Sequence, residues 1–461
     1  MHKTTFHAAL FAILLAAAFC GCKKSDEQTA SSPNAPKATK GGAITILWAQ
    51  WPPADALEEL GKEYQAKTGT AVNVVQKSWD GAFGDAAQAE FRTNGTAYDL
   101  IIGDSQWVGQ GVKGGHYLEL TDFVKDNQEL FKDVAPAALE YYCEYPKGAK
   151  KYYAVPCESD AMAFCYRKDL FEDPRHKEMF KSFLKQSNQQ EFSLDVPKTW
   201  EELYWIAKYF KEGSGLKDMA GVVMPTSQKY DTVTMSFENV LWSFGGGWGD
   251  MKSNTVKFDT PQSVQAITFF KKLIDESSEG GKNMGYGDVA SAYIGGGAAM
   301  AANYFAFFPQ IADPSQNKDY ADKTGYFNMP AGPKGRKVTL GGQGFSINAH
   351  IDGQRQQAAR EFLKWFSAPE TQQKWATKKG CFTANMKILK SDAFKRATPY
   401  NRLFEEAFGM MDDFWSIPQY DQLLEVSQKH LSDVLQNNAD PAAAAKKIQQ
   451  EQETIMKKAS K

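Results

Sequence analysis

Three short segments carry the side chains best suited to hold a small polar molecule: Trp48-Ala49-Gln50-Trp51, Ser78-Trp79-Asp80 and Asp104-Ser105-Gln106-Trp107. Each sets an indole beside amide, hydroxyl or carboxylate groups. A sugar ring calls for this mixture, because its C–H faces pack on aromatic faces while its hydroxyls donate to carboxylates and exchange hydrogen bonds with amides. Trp51, next to Pro52 in a loop, is the stacking candidate; Trp48 and Trp107 read as core. The carboxylates admit a rival chemistry. Asp80, Asp104, Glu158 and Asp160 could supply the two acids that flank a glycosidic bond at about 5 or about 6.5–9.5 Å. A secreted glycosidase is therefore the alternative class, and a glycan-binding adhesin a third.

Other signals fail on context. Gly109, Gly111 and Gly114 fit G-x-G-x-x-G, but they start several residues after their strand and lead into His116-Tyr117-Leu118, without the strand-to-helix turn that a pyrophosphate needs. The glycine runs at 245–247 and 295–297 lack a following Lys-Ser/Thr. None of the six histidines has a second histidine or a cysteine at metal-ligand spacing, so neither a metal nor a cofactor is expected.

The elements that must position these side chains alternate in type. Residues 43–48 read as a buried strand, 53–68 as a helix with Leu57, Leu60 and Tyr64 on one face, 72–75 as a strand, 83–92 as a helix and 98–102 as a third strand. Such alternation argues for α/β architecture, a parallel sheet covered on both faces, with ligands beyond the carboxyl ends of the strands. The three indole-bearing segments follow those ends. A second α/β region begins near Cys157: a strand at 162–166, a helix opened by Thr199 with Glu202 as a capping box, a strand at 221–224 and a helix opened by Thr260-Pro261. Beyond Gln354 the pattern is mostly helical, interrupted near 380–385.

The 461 residues suffice for two or three domains, and 53 Lys+Arg against 55 Asp+Glu leave no long run of one sign. No nucleic-acid partner is expected. Phe, Tyr and Trp make up 13% of the chain, a rich share. The twelve apolar residues from Ala8 to Phe19 have the length of a signal-peptide core and are too short to span a bilayer. Gly21-Cys22 after them resembles a bacterial lipoprotein signal, which implies cleavage after residue 21 and lipidation of Cys22. Residues 23–42 lack aromatic and large aliphatic side chains, so a disordered tether of 22–42, reaching roughly 25 Å, is expected. Cys143, Cys157, Cys165 and Cys381 remain, with three full pairings open.

Six further segments, in this order, complete a pattern: YDLIIGD at 98–104, YAVPCESDAMAFCYRKDLF at 153–171, PKTWEEL at 197–203, IGGGAAM at 294–300, FNMPAGPKGRKVTLGGQG at 327–344 and AAREFLKW at 358–365. With these the chain resembles the extracellular solute-binding proteins of carbohydrate ABC transporters, the maltose-binding-like group, over essentially all of its mature region. The resemblance implies a two-lobed periplasmic-binding-protein fold of type II, with a sugar between the lobes. Lobe one would be 43–156 plus 325–370, and lobe two 157–324 plus 371–461. Besides Asp80, the implied ligand residues are Gln50 and Trp51, Asp104 and Ser105, Glu158 and Asp160 on a crossing segment, Trp242, Tyr304 and Phe305, and Gln343 in a Gly-Gly-Gln-Gly turn. The implied partners are a carbohydrate and the permease subunits of an importer, for a monomer held at the extracytoplasmic membrane face by its lipid and performing no reaction.

Overall fold

Strand β1 (Ile44–Ala49) is buried on both faces, as an interior strand of a helix-covered sheet must be. The structure is a computed structural model and describes residues 42–459 apart from 80, 251, 252, 254, 278 and 414. Cys22 and Asp80 lie outside the described residues. Helix α1 (Pro52–Thr68) starts with proline in its first turn and stops at Gly69, whose φ of +80° suits a residue without Cβ. Then come β2 (Val72–Lys77), α2 (Ala82–Thr93) and β3 (Leu100–Asp104). β1 lies between β2 and β3 and runs parallel to both, with Ile44 opposite Val72 and Ile46 opposite Leu100.

The next strand, β4 (Val155–Arg167), has 13 residues and extends well upstream of the expected 162–166. Its first half carries Glu158, Ser159 and Asp160, all buried, and these polar side chains hide the strand from a hydropathy reading. β5 (Ala220–Val223), the small hairpin β6 (Gly249–Asp250) and β7 (Thr255–Val256), β8 (Ala298–Tyr304), β9 (Thr324–Asn328), β10 (Val338–Ile347) and β11 (Met411–Asp412) follow. The main sheet runs β2-β1-β3-β10-β4-β8-β5.

Two strands stitch its halves together. β4 pairs with β10 through Val155–Ala161, then changes partner and pairs with β8 and β9 through Met162–Arg167. β10 lies antiparallel to both β3 and β4, with Gln343 opposite Asp104 on one side and Glu158 on the other, and a bulge between Gln343 and Gly344. The Gly-Gly-Gln-Gly segment is thus strand rather than the expected turn. Its glycines admit aromatic rings: a Cβ on Gly341 would sit 2.5 Å from the Tyr304 ring, and one on Gly342 would sit 2.2 Å from that of Tyr142.

Helices cover the sheet. Gly353–Ser367 packs on β1 and β10, whereas Thr232–Ser243, Pro261–Ile274, Tyr420–Asn437 and Pro441–Ala459 pack on one another, the first of them also reaching β10 through Thr339. Thr199 accepts a hydrogen bond from the Glu202 amide at 3.2 Å, but the Glu202 carboxylate takes the Lys198 amide, so the expected reciprocal box is half formed. The four cysteines are buried and free. Gly109 and Gly111 serve packing, since side chains there would strike the backbone at Ser416–Ile417 and the Tyr117 ring. No helix among the described residues is long and apolar enough to cross a membrane.

Candidate functional site

The carboxyl ends of β1, β2 and β3 deliver Trp51, Trp79 and Asp104-Ser105-Gln106 to one cavity at the seam between the halves. From across the seam come Tyr230 and Asp231 after β5, Tyr286 at the start of a helix, and Tyr304 and Phe307 at the end of β8. Asp160 of β4 and Leu340–Gln343 of β10 form its floor. The cavity has a volume of about 40 Å³. The site is therefore narrow, with room for a few waters as it stands. Outside it a wider mouth is lined by Gln50, Trp51, Trp79, Lys229, Tyr286 and Lys379 among others.

Rings from the two halves touch. Trp51 stands edge-on to Trp48 at 5.5 Å and to Trp79 at 5.4 Å, and meets Phe307 at 6.3 Å. Trp79 meets Tyr230 edge-on at 4.9 Å, and Tyr286 stacks on Phe307 at 5.4 Å. The polar groups also bridge. Asp104 accepts hydrogen bonds from the Gln343 amide on one oxygen and from the Tyr230 hydroxyl and Gln106 amide on the other. Gln106 Nε2 lies 3.4 Å from a carboxylate oxygen of Asp104 and 3.4 Å from one of Asp231, whose other oxygen accepts from the Tyr286 hydroxyl at 2.8 Å. Trp48 donates its indole N–H to Gln343, fixing that amide's orientation toward Asp104.

Burial sets the electrostatics. It pushes the Asp104 carboxyl above the usual range, against the pull of the Tyr230 and Gln343 hydrogen bonds and with help from Asp413. Asp231 is pushed higher still, by burial and then by the charge of Asp104. Asp160 also titrates well above its ordinary range because it is buried, although the amides of Ala161 and Ala306 donate to it. Among the described residues no group of three or more His, Cys, Asp or Glu side chains could hold a metal ion.

Of the residues singled out by sequence, Trp51, Asp104, Ser105, Asp160, Tyr304 and Gln343 line the cavity. Gln50 is exposed at the mouth. Three others do not reach it. Glu158 is fully buried in β4 and accepts the Phe382 amide at 2.7 Å, which holds it away from the cavity lining. Trp242 lies near the far end of its helix, half-buried against the core. Phe305 is fully buried among Phe308, Phe382 and Phe404, each within 5.5 Å. Sequence reasoning missed Tyr230, Asp231 and Tyr286. The strand-end rule extended to β5 leads into the segment after Val223 in which Tyr230 and Asp231 stand; Tyr286 gives no comparable signal.

A family model described as bacterial extracellular solute-binding protein matches residues 49–373. A probable ABC transporter-binding protein of Deinococcus radiodurans is 22% identical over 434 residues, covering 89% of this chain and 94% of that one. Among solved structures, maltose-bound MalE3 of T. maritima superposes with a TM-score of 0.76 at 22% identity, covering 90% of this chain and 99% of the other. A ribitol complex of an ABC transporter solute-binding protein from Agrobacterium radiobacter gives 0.75 at 24% identity, covering 90% and 98%. At these identities the structural likeness speaks for the fold.

Proposed function

The chain belongs to the bacterial extracellular solute-binding proteins, and from that premise we propose that it is the substrate-binding component of a carbohydrate ABC importer. The observation that carries this reading is the seam cavity, where both halves of the molecule contribute aromatic faces and hydrogen-bonding groups to one space. Its relatives named above bind maltose and ribitol. The halves act as lobes: lobe one 43–156 plus 325–370, lobe two 157–324 plus 371–461. The change of partner along β4 between Ala161 and Met162, and the pairing of β10 with β3 after β9 has paired with β4, support two crossings of the chain between the halves. Capture proceeds by closure of the lobes on the sugar, and the permease reads the closed form.

Trp51, Asp104, Ser105, Asp160, Tyr304 and Gln343 are the proposed ligand contacts, joined by Tyr230, Asp231 and Tyr286. A screen of sugars and polyols by thermal shift, followed by calorimetry, tests the reading. The cognate solute should raise the melting temperature and be recovered chemically unchanged. A folded protein that no sugar or polyol stabilises would refute it, and turnover of aryl glycosides would move it to the glycosidase class. Anchoring through lipidated Cys22 is part of the same proposal: Cys22→Ala should release the protein from the extracytoplasmic membrane face, and a wild type that carries no lipid by mass spectrometry would remove the anchor.

A further inference from the structure

Two of the cavity's carboxylates occupy positions where aspartate ordinarily does something else. Asp231 is the N-cap of the helix Thr232–Ser243 and Asp104 the N-cap of the short turn Ser105–Trp107, yet neither side chain makes a capping hydrogen bond. Each lines the cavity instead, which forgoes the capping bond at Asp231 and adds the cost of burying an acid. The cations nearby are committed or remote. Lys147 pairs with Asp413 at 3.0 Å, Lys379 pairs with Asp313 at 3.0 Å, and Lys229 stands at the outer mouth. Among the described lining residues there is no Lys, Arg or His, whereas six are aromatic: Trp51, Trp79, Tyr230, Tyr286, Tyr304 and Phe307.

A second, independent observation concerns donors. Trp51 and Trp79 line the same space, and their indole N–H groups are buried and without a hydrogen-bond partner among the described residues. They call for acceptor oxygens, which hydroxyls supply. The acids, disfavoured as anions in the empty dry site, can ionise against a donor that also carries charge, whereas a hydroxyl would leave such a charge uncompensated. Aromatic faces favour a cation as well. A metal ion does not answer, because the described residues hold no cluster fit for one.

We propose that the solute bears a protonated amino group together with hydroxyls, an amino sugar or amino polyol whose ammonium is held between Asp104 and Asp231 against the aromatic wall. This rests on the carbohydrate reading above and narrows it. Asp231 is the principal partner, because both oxygens of Asp104 are already held by Gln343, Tyr230 and Gln106, whereas the second oxygen of Asp231 has only the long contact to Gln106 at 3.4 Å.

The test is calorimetry on the full chain with matched pairs that differ in charge: glucosamine against glucose and N-acetylglucosamine, galactosamine against galactose, and 1-amino-1-deoxysorbitol against sorbitol. At least one amino compound should bind about tenfold or more tightly than its neutral partners, the scale of one charge-assisted hydrogen bond, and Asp231→Asn should collapse that preference. Neutral sugars that bind as tightly as their amino counterparts overturn the proposal and leave the carbohydrate reading standing. Binding of putrescine or choline without any sugar or polyol sinks the carbohydrate reading instead. Failure of every amino compound to bind also overturns the proposal, and because the wild-type comparison decides the matter, it holds even where the variant does not fold.

Discussion

Trp51 shows how one residue serves both the site and the scaffold. Its ring lines the cavity and also packs on Trp48 and Trp79, so Trp51→Ala should weaken binding of the tightest sugar by about 1–3 kcal/mol and lower fold stability as well. Calorimetry on the folded variant with an unchanged dissociation constant would remove Trp51 from the site. Asp231 permits a second prediction at this scale. Its carboxyl is raised from 3.8 to about 8, with that of Asp104 raised to about 6. A carboxyl raised in the folded state keeps its proton while the unfolded chain releases it, so stability falls as pH rises from about 4 towards 8. The melting temperature of the unliganded protein should therefore drop across that window, and Asp231→Asn should flatten the drop. Parallel melting curves for wild type and variant from pH 4 to 8 would show that the pair is not held protonated. Asp231 lies in the segment beyond the end of β5 that sequence reasoning did not pursue, and only the tertiary position shows that its side chain enters the cavity and does not cap the helix behind it.

At the scale of elements, strands and helices with apolar periodicity were legible and those with buried polar runs were not. β1, α1, β2 and α2 fall within two residues of their expected bounds, because each shows one face or one apolar core to the sheet. The first half of β4 was missed, since Glu158, Ser159 and Asp160 interrupt its pattern, and the Gly341–Gly344 segment of β10 reads as a turn in the sequence. Those glycines give the element-scale prediction. Gly342→Ala would drive a Cβ into the Tyr142 ring at 2.2 Å, on the strand that joins the halves. The variant should lose about 1–3 kcal/mol in chemical denaturation, while Gly353→Ala, where nothing lies within 4 Å of the new Cβ, should not. Equal stability of the two variants would show that the Tyr142 approach tolerates a side chain.

For the whole molecule, ring contacts and hydrogen bonds crossing the seam describe a closed form with a narrow cavity. A solute larger than a few waters enters only if the halves part, and it then shifts the open-to-closed balance by its preference for the closed state. At a hundredfold excess over its dissociation constant it should add about 2.7 kcal/mol of stability, and solution scattering should show a smaller radius of gyration. Tight binding with no change in scattering would sink closure as the mode of capture. The four cysteines offer a separate measure of such motion. All are free and fully enclosed, and burial raises each thiol above its ordinary range, so the thiolate is scarce. An alkylating reagent added to the native protein can therefore react only through openings, and the rate of label uptake becomes a clock for them. Cys157 and Cys381 flank Glu158 and the Phe382 loop that it holds, at the crossing between halves, while Cys165 lies deeper in the second half opposite Ala301. Peptide-resolved labelling would thus time the crossing and the interior separately, using reporters that the chain already contains.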